Sequence, residues 1–233
     1  MASIIDIKRR KASVESTGQI TKAMKLVSTV KLQRAKQRAD ESKAYFNKMY
    51  ETVSSILAKA GNINHPYLQE NGSTKKGIIT ISSNRGLAGG YNNNIVKLIR
   101  DSGMNKEDIM IYAVGHKAMD TLKHRGYEIV SDDSEMINEP VYDDARILGE
   151  KLLKAFEDGE IGEIYLAYTD FKNTVVHEPK LVKLLPIESN IESKEEEKES
   201  KAPMNFEPEP EEALEQGGEL RPLPPGAADD HRL

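Results

Sequence analysis

Hydrophobic positions in the first sixty residues recur every third or fourth place, and nothing breaks the run. Ser3 to about Ala60 holds no proline and one internal glycine, Gly18. Ala, Lys, Gln, Glu, Leu and Met dominate it, and all are good helix formers. Ser3 with Asp6 three residues on fits an N-terminal capping box, and Gly61 followed by Asn62 fits a stop. The pattern predicts one helix of roughly 80 Å at ~1.5 Å per residue. That exceeds the width of any domain that 233 residues can build. The helix must protrude, and it needs a partner.

Alternating steps of three and four back from Ile56 give Val53, Met49, Phe46, Ser42, Ala39, Ala35 and Leu32. All but Ser42 are apolar, which is the spacing of a coiled-coil seam. The same register carried towards the N-terminus gives Ser28, Lys25, Thr21 and Gly18, then Val14, Lys11, Ile7 and Ile4. This middle is polar, and its apolar residues Ile20, Met24 and Val27 sit one position off the register. A displaced stripe is expected where supercoiling changes, because a straight helix drifts against a strict seven-residue repeat. The competing reading is an ordinary long amphipathic helix, since alanine is a weak seam residue.

Past the helix the hydrophobic period changes. Residues 62–75 read as a connector, marked by His65-Pro66 and Asn71-Gly72. Gly77–Ser82 is a short β-branched run, hence a buried strand. The loop Ser83–Asn92 follows it, and then a helix over Asn93–Arg100 with Ile95, Leu98 and Ile99 on one side. Asp108–Val114 reads as a second strand, Gly115–Arg125 as a helix ended at Gly126, and Tyr127–Val130 as a third strand. A helix over Val141–Glu157 carries Ile147, Leu148, Leu152 and Phe156 and stops near Gly159. Glu163–Thr169 is a fourth strand, and Thr174–Ile187 holds a fifth, broken or set at an edge by Pro179. Strand and helix alternate, so the fold class is α/β: a Rossmann-like domain over residues 76–187, its mostly parallel sheet having about five strands.

Composition changes at Glu188. Residues 188–233 hold fourteen acids against five Lys and Arg, with almost no large apolar side chains. Residues 188–206 read as an acidic, disordered linker. In 207–233 a helix could start at Glu209 or Glu211, but Gly217-Gly218 cuts it short and the prolines beyond carry no helical periodicity.

Charge separates the two ends further. The first fifty residues hold twelve Lys and Arg against four acids, whereas the whole chain is net −5. A basic excess this local suits a rod that meets acidic surfaces; a merely solvated face is the plainer alternative. With no cysteine, disulfides, thiolate metal sites and cysteine catalysis are excluded. KRRK follows the first apolar residues at once, which is not a secretory signal, and no apolar run is long enough to span a bilayer. The expectation is a cytosolic or peripheral protein.

Catalytic chemistry is hard to assemble. Open α/β sheets bind ligands at strand C-termini, which makes Arg85, Gly86, Leu87, Ala88, Gly89, Gly90, Tyr91 and Asn92 the first candidate. The loop is neither G-x-G-x-x-G nor a P-loop, and no acid stands ready to hold a ribose, since Asp108 begins its strand instead. It reads as a tight turn that lets a backbone approach closely. The histidines (His65, His116, His124, His177, His231) show no metal-ligand spacing, so no metal site is expected. Asp132-Asp133 and Asp143-Asp144 read as solvated loop acids. The residues point to binding, not catalysis.

IKRRKASVESTGQITKAMKLVSTVKLQRA and SSNRGLAGGYN resemble the signature segments of the gamma subunit of rotary, F-type ATP synthases. So does FKNTVVHEPKLVKLLPI followed by an acidic insert and NFEPEPEEALEQ, and the resemblance runs from Met1 to about Gln216. It implies that the N-terminal helix pairs with a C-terminal helix as a rotor shaft inside a 3:3 ring of alpha and beta subunits. That ring binds Mg-ATP and ADP, and this chain binds no cofactor. Met24 and Lys25, with Lys22, Lys31 and Arg34, would face acidic loops of the beta subunits. Leu32, Ala35, Ala39, Phe46, Met49, Val53 and Ile56 would form the shaft seam. The loop Arg85–Asn92 and its domain would be the foot, which sits on the membrane ring of c subunits and holds the epsilon subunit. The implied location is the cytoplasmic side of the cell membrane, with membrane contact only through the c-ring. In the family a long helix returns up the shaft after EPEPEEALEQ, whereas here GGELRPLPPGAADDHRL follows. Two other readings compete: a nucleic-acid-binding protein using the basic helix, and a nucleotide-binding α/β enzyme. The basic helix has few aromatics to stack bases and no reader motif, so no nucleic-acid partner is expected.

Overall fold

A computed structural model describes residues 3–59 and 65–187, apart from the side chains of 54 and 56–59. The chain divides into two compact units, one holding the N-terminal helix and the other residues 64–199. Helix α1 runs Ile4–Lys59, 56 residues without a break, so it is about 84 Å long. Ser3 caps it: the Ile5 N–H donates to Ser3 Oγ at 3.3 Å and the Ile7 N–H to Ser3 O at 3.2 Å. Asp6 lies in the first turn, where a carboxylate suits the positive end of the helix dipole. The stop expected at Gly61-Asn62 lies outside the described residues, as do the acidic linker and everything after residue 187.

The other unit holds a five-stranded sheet in the order β3-β2-β1-β4-β5. The strands are β1 (Lys76–Ile81), β2 (Ile109–Val114), β3 (Glu128–Asp132), β4 (Glu163–Phe171) and β5 (His177–Leu185). The first four are parallel, and β5 runs antiparallel to β4 at the edge. Pro179 sits there opposite Thr169, where a missing N–H does least harm. Helices α2 (Tyr91–Arg100) and α3 (His116–His124) cover one face, with Ile95, Val96, Ile99, Ala118 and Leu122 packed on Ile78, Ile111 and Ala113. Helix α4 (Tyr142–Glu157) covers the other, with Leu148, Leu152 and Phe156 packed beside Tyr112, Val114 and Ile164. Successive strand residues face opposite layers, so β1 and β2 bury side chains on both sides, as their largely apolar runs allow.

Several boundaries differ from the sequence expectation. Helix α2 starts at Tyr91, two residues early, because the glycine loop closes straight onto it. Asp108 ends a 3-10 turn, Lys106–Asp108, and does not begin β2. Strand β3 continues to Asp132, and β4 to Phe171. Ile147, expected on the inner side of α4, is exposed. It lies about 100° round the helix from Leu148, away from the face shared by Leu148, Leu152 and Phe156.

The described part of the connector is a clasp around the turn between α4 and β4. His65 is buried, and its Nδ1 accepts the Tyr67 N–H at 3.2 Å. The Tyr67 hydroxyl donates to Glu157 at 2.8 Å, and its ring meets Phe156 edge-on. The Ile187 N–H donates to Tyr67 O at 2.9 Å. Asn71 Nδ2 donates to the carbonyls of Phe156 and Ile161, each at 2.7 Å. The Gly162 N–H closes on Lys75 O at 2.8 Å, and a Cβ on Gly162 would lie 1.9 Å from Ser73 O.

Candidate interaction surfaces

Helix α1 presents every side chain expected to meet a partner. Lys22, Met24, Lys25, Lys31 and Arg34 are all exposed, Met24 at 52%. They are not on one face. Lys22 and Lys25 are neighbours at three-residue spacing, and Lys31 and Arg34 are another such pair. Lys31 lies nine residues from Lys22, two and a half turns on, so the second pair faces the opposite way. The cations therefore form two stripes, with Met24 on the side of Lys31.

The seam residues do share a side. Leu32, Ala35, Ala39 and Phe46 are exposed there, Phe46 at 55%, while Met49 and Val53 are half-buried. The side chain of Ile56 lies outside the described residues. Phe46 also stacks on Tyr50, their ring centroids 6.2 Å apart. In the polar middle Thr17, Thr21 and Thr29 donate to the carbonyls of Ser13, Thr17 and Lys25 at 2.8–2.9 Å. Their hydroxyls are satisfied within the helix.

The glycine loop is anchored at its ends and bare at its tip. The Ser83 N–H donates to Asn92 Oδ1 at 2.9 Å, and the Ser83 hydroxyl lies 2.7 Å from Arg85 O. Asn84 links two other turns: its Nδ2 donates to Ser134 O at 2.7 Å and its Oδ1 accepts the His116 N–H at 3.1 Å. Between these anchors Leu87 is 98% exposed and adopts φ 61°, a left-handed conformation disfavoured for leucine. Burial pushes the Tyr91 hydroxyl pKa up at the start of α2. A Cβ at Gly86 or Gly89 would meet nothing within 4 Å. The expected close backbone approach is thus not made by these glycines; it occurs at Gly115, whose Cβ would lie 2.3 Å from Ser82 O.

Sequence reasoning missed the network beneath this loop. Asp132 is exposed, as expected, but it is not idle: it ends β3, its Oδ1 accepts from the Ser134 N–H and hydroxyl, and its Oδ2 lies 3.6 Å from His116 Nδ1. Asp133 Oδ2 accepts from the Ser131 hydroxyl at 2.8 Å. Asp143 and Asp144 stand in the first turn of α4, where carboxylates offset the helix dipole. Buried Ser82 donates to Gly115 O at 2.9 Å and accepts the Ala118 N–H at 3.2 Å. The nearest signal was polarity itself, Ser82 directly after the first strand and Asp132 at the end of the third.

At the same end of the sheet the β4–β5 hairpin carries Asp170 between Lys180 at 2.5 Å and Lys172 at 2.9 Å. Hydrogen bonds from Lys180 and then Lys172 hold its carboxyl pKa down at about 2. A depressed carboxyl pKa stabilises the folded form above the unfolded value of ~3.9, and the gain disappears as pH falls through the folded value. An NMR titration should therefore leave Asp170 ionised at pH ~3, where ordinary aspartates are mostly protonated. Asp170→Asn should remove that part of the acid sensitivity of the hairpin.

Among the described residues no helix is long and apolar enough to cross a membrane, and no group of three or more potential metal ligands gathers. The ATP synthase family profile matches residues 3–218. An ATP synthase gamma chain from Lachnoclostridium phytofermentans is 58% identical over 92% of this chain and 75% of its own length. The sodium ion specific ATP synthase gamma chain of Acetobacterium woodii is 34% identical over 91% of this chain and 75% of its own. Among solved structures, one titled as the central stalk and c-ring of Tetrahymena thermophila mitochondrial ATP synthase aligns over 72% of both chains with TM-score 0.47 and 21% identity. With the family profile matched over nearly all of its length, the chain belongs to the gamma-subunit family of the F-type ATP synthase, a non-catalytic part of that enzyme.

Proposed function

We propose that this chain is the central rotor subunit that couples ion flow through a membrane c-ring to ATP synthesis or hydrolysis in a ring of alpha and beta subunits. One observation carries the reading: a 56-residue helix whose described side chains are exposed almost throughout. Such a helix, with an apolar seam over residues 32–53 and cations in two stripes, suits an axle turning inside acidic walls. The α/β domain is the foot, resting on the c-ring and holding the epsilon subunit. Nucleotide and magnesium belong to the alpha and beta subunits. The protein is then peripheral, on the cytoplasmic side of the cell membrane. Rotation presents successive faces of α1 to each beta subunit and shifts its population among nucleotide states.

Lys25 guides this rotation without arresting it, because an exposed ion pair is worth only ~0–1 kcal/mol. Reconstitution with the alpha and beta subunits tests both statements. The chain should raise ATP hydrolysis by the ring, and failure at every subunit ratio would remove the rotor reading. Lys25→Ala should change turnover by less than about fivefold; complete arrest would show that the contact locks.

A further inference from the structure

The chain contains one Asn-Gly step, Asn71-Gly72, and it lies inside the clasp. With no side chain on the following residue, the Gly72 nitrogen has open access to the Asn71 side chain. That nitrogen can attack Asn71 Cγ: the N–Cγ bond forms, the Cγ–Nδ2 bond breaks and ammonia leaves. One water then opens the cyclic imide to aspartate or isoaspartate. We infer that Asn71 is a deamidation site held shut by the clasp, and that its conversion unfastens residues 65–75 from the turn between α4 and β4.

The folded geometry opposes the attack at both ends of the amide. Both Nδ2 hydrogens are engaged, by Phe156 O and Ile161 O, and Oδ1 accepts the Ser73 N–H at 3.1 Å. Turning the side chain towards the Gly72 nitrogen breaks all three bonds together, so reaction waits for a local opening. Water is at hand once it opens, because Asn71 lines a surface cleft of about 300 Å³ with Pro66, Gln69, Glu70, Phe156 and Glu157. The product cannot re-form the clasp. An aspartate is acceptor-only when ionised, and it would face two carbonyl oxygens that have lost their donor, in a cleft that already holds Glu70 and Glu157. Loss of ammonia makes the conversion one-way, and the clasp stays open after it.

Peptide mapping by mass spectrometry, on the intact chain aged at mildly alkaline pH with and without urea, reads the reaction directly. Conversion at Asn71 should be about tenfold or more slower in the folded chain, since the rate follows the open population. Tyr67→Phe removes the bond to Glu157 without touching Asn71 and should speed folded-state conversion several-fold. Equal rates in folded and unfolded chains would overturn the inference. Asn71→Asp tests the consequence: the Tyr67 and Ile187 amides should lose hydrogen-exchange protection while α2 and α3 keep theirs. Protection identical to the parent would overturn the unfastening, and the kinetic comparison stands even where that variant folds poorly.

Discussion

Gly115→Ala is expected to cost the α/β domain about 3 kcal/mol or more. Two penalties coincide there. Gly115 adopts φ 120°, where any side chain strains the backbone, and its Cβ would stand 2.3 Å from Ser82 O and 2.5 Å from the Ser82 carbonyl carbon. Ser82 cannot give way cheaply. Its N–H is bonded to Val114 O at 2.8 Å, and its hydroxyl bridges Gly115 O and the Ala118 N–H. Urea unfolding followed by tyrosine fluorescence should show the midpoint fall sharply. Gly149→Ala, inside α4 with nothing within 4 Å of the new Cβ, should instead be neutral or gain up to ~1 kcal/mol from helix propensity. Matching midpoints for the two variants would mean that the turn relaxes.

Replacing Leu32 and Phe46 together with aspartate should weaken assembly with the alpha and beta subunits by at least about a hundredfold. Burying each of these side chains contributes ~1.5–3 kcal/mol, and 1.4 kcal/mol is a factor of ten in affinity. The charges add a further cost of desolvation. Leu26→Asp, on the side of α1 away from the seam, should cost less than about tenfold. Sedimentation and binding titration separate the two outcomes. Thermal unfolding of the α/β domain should be unchanged in both, which keeps a folding defect from passing as an interface effect. Equal losses at Leu26 and at the seam would mean that the partner surrounds α1 uniformly.

What could be read from the sequence divides along a physical line. Helix α1 was legible because one property, uninterrupted helix-forming composition over fifty-six residues, fixes it. Strands β1 and β2 were legible because burial on both faces demands apolar runs, and β5 because Pro179 tolerates only an edge. The Asn84, His116, Asp132 and Ser134 network was not legible. Its partners lie 32 and 50 residues apart in sequence, and a polar residue after a strand looks the same whether it caps a neighbouring turn or faces water. The glycine loop misled for the same reason. Its glycines suggested a close approach, while the crowded glycines, Gly115 and Gly162, stand singly in ordinary-looking turns. The two-sided distribution of cations on α1 needed no coordinates, only the angle between Lys22 and Lys31.

The hydroxyls of Thr17, Thr21 and Thr29 carry a consequence for an axle. A shaft turning against surrounding walls makes and breaks contacts at every step, and each hydrogen bond to the wall would add a ripple of ~0.5–1.5 kcal/mol to its rotational energy. These side chains already donate to their own helix, so outwardly they offer methyl groups and acceptors, with no hydroxyl donor for a surrounding wall to hold. The threonines of the polar middle act in that sense as a dry bearing, wettable enough to stay exposed while their hydroxyl donors point inward, and Lys22 and Lys25 are left as outward donors of that stretch.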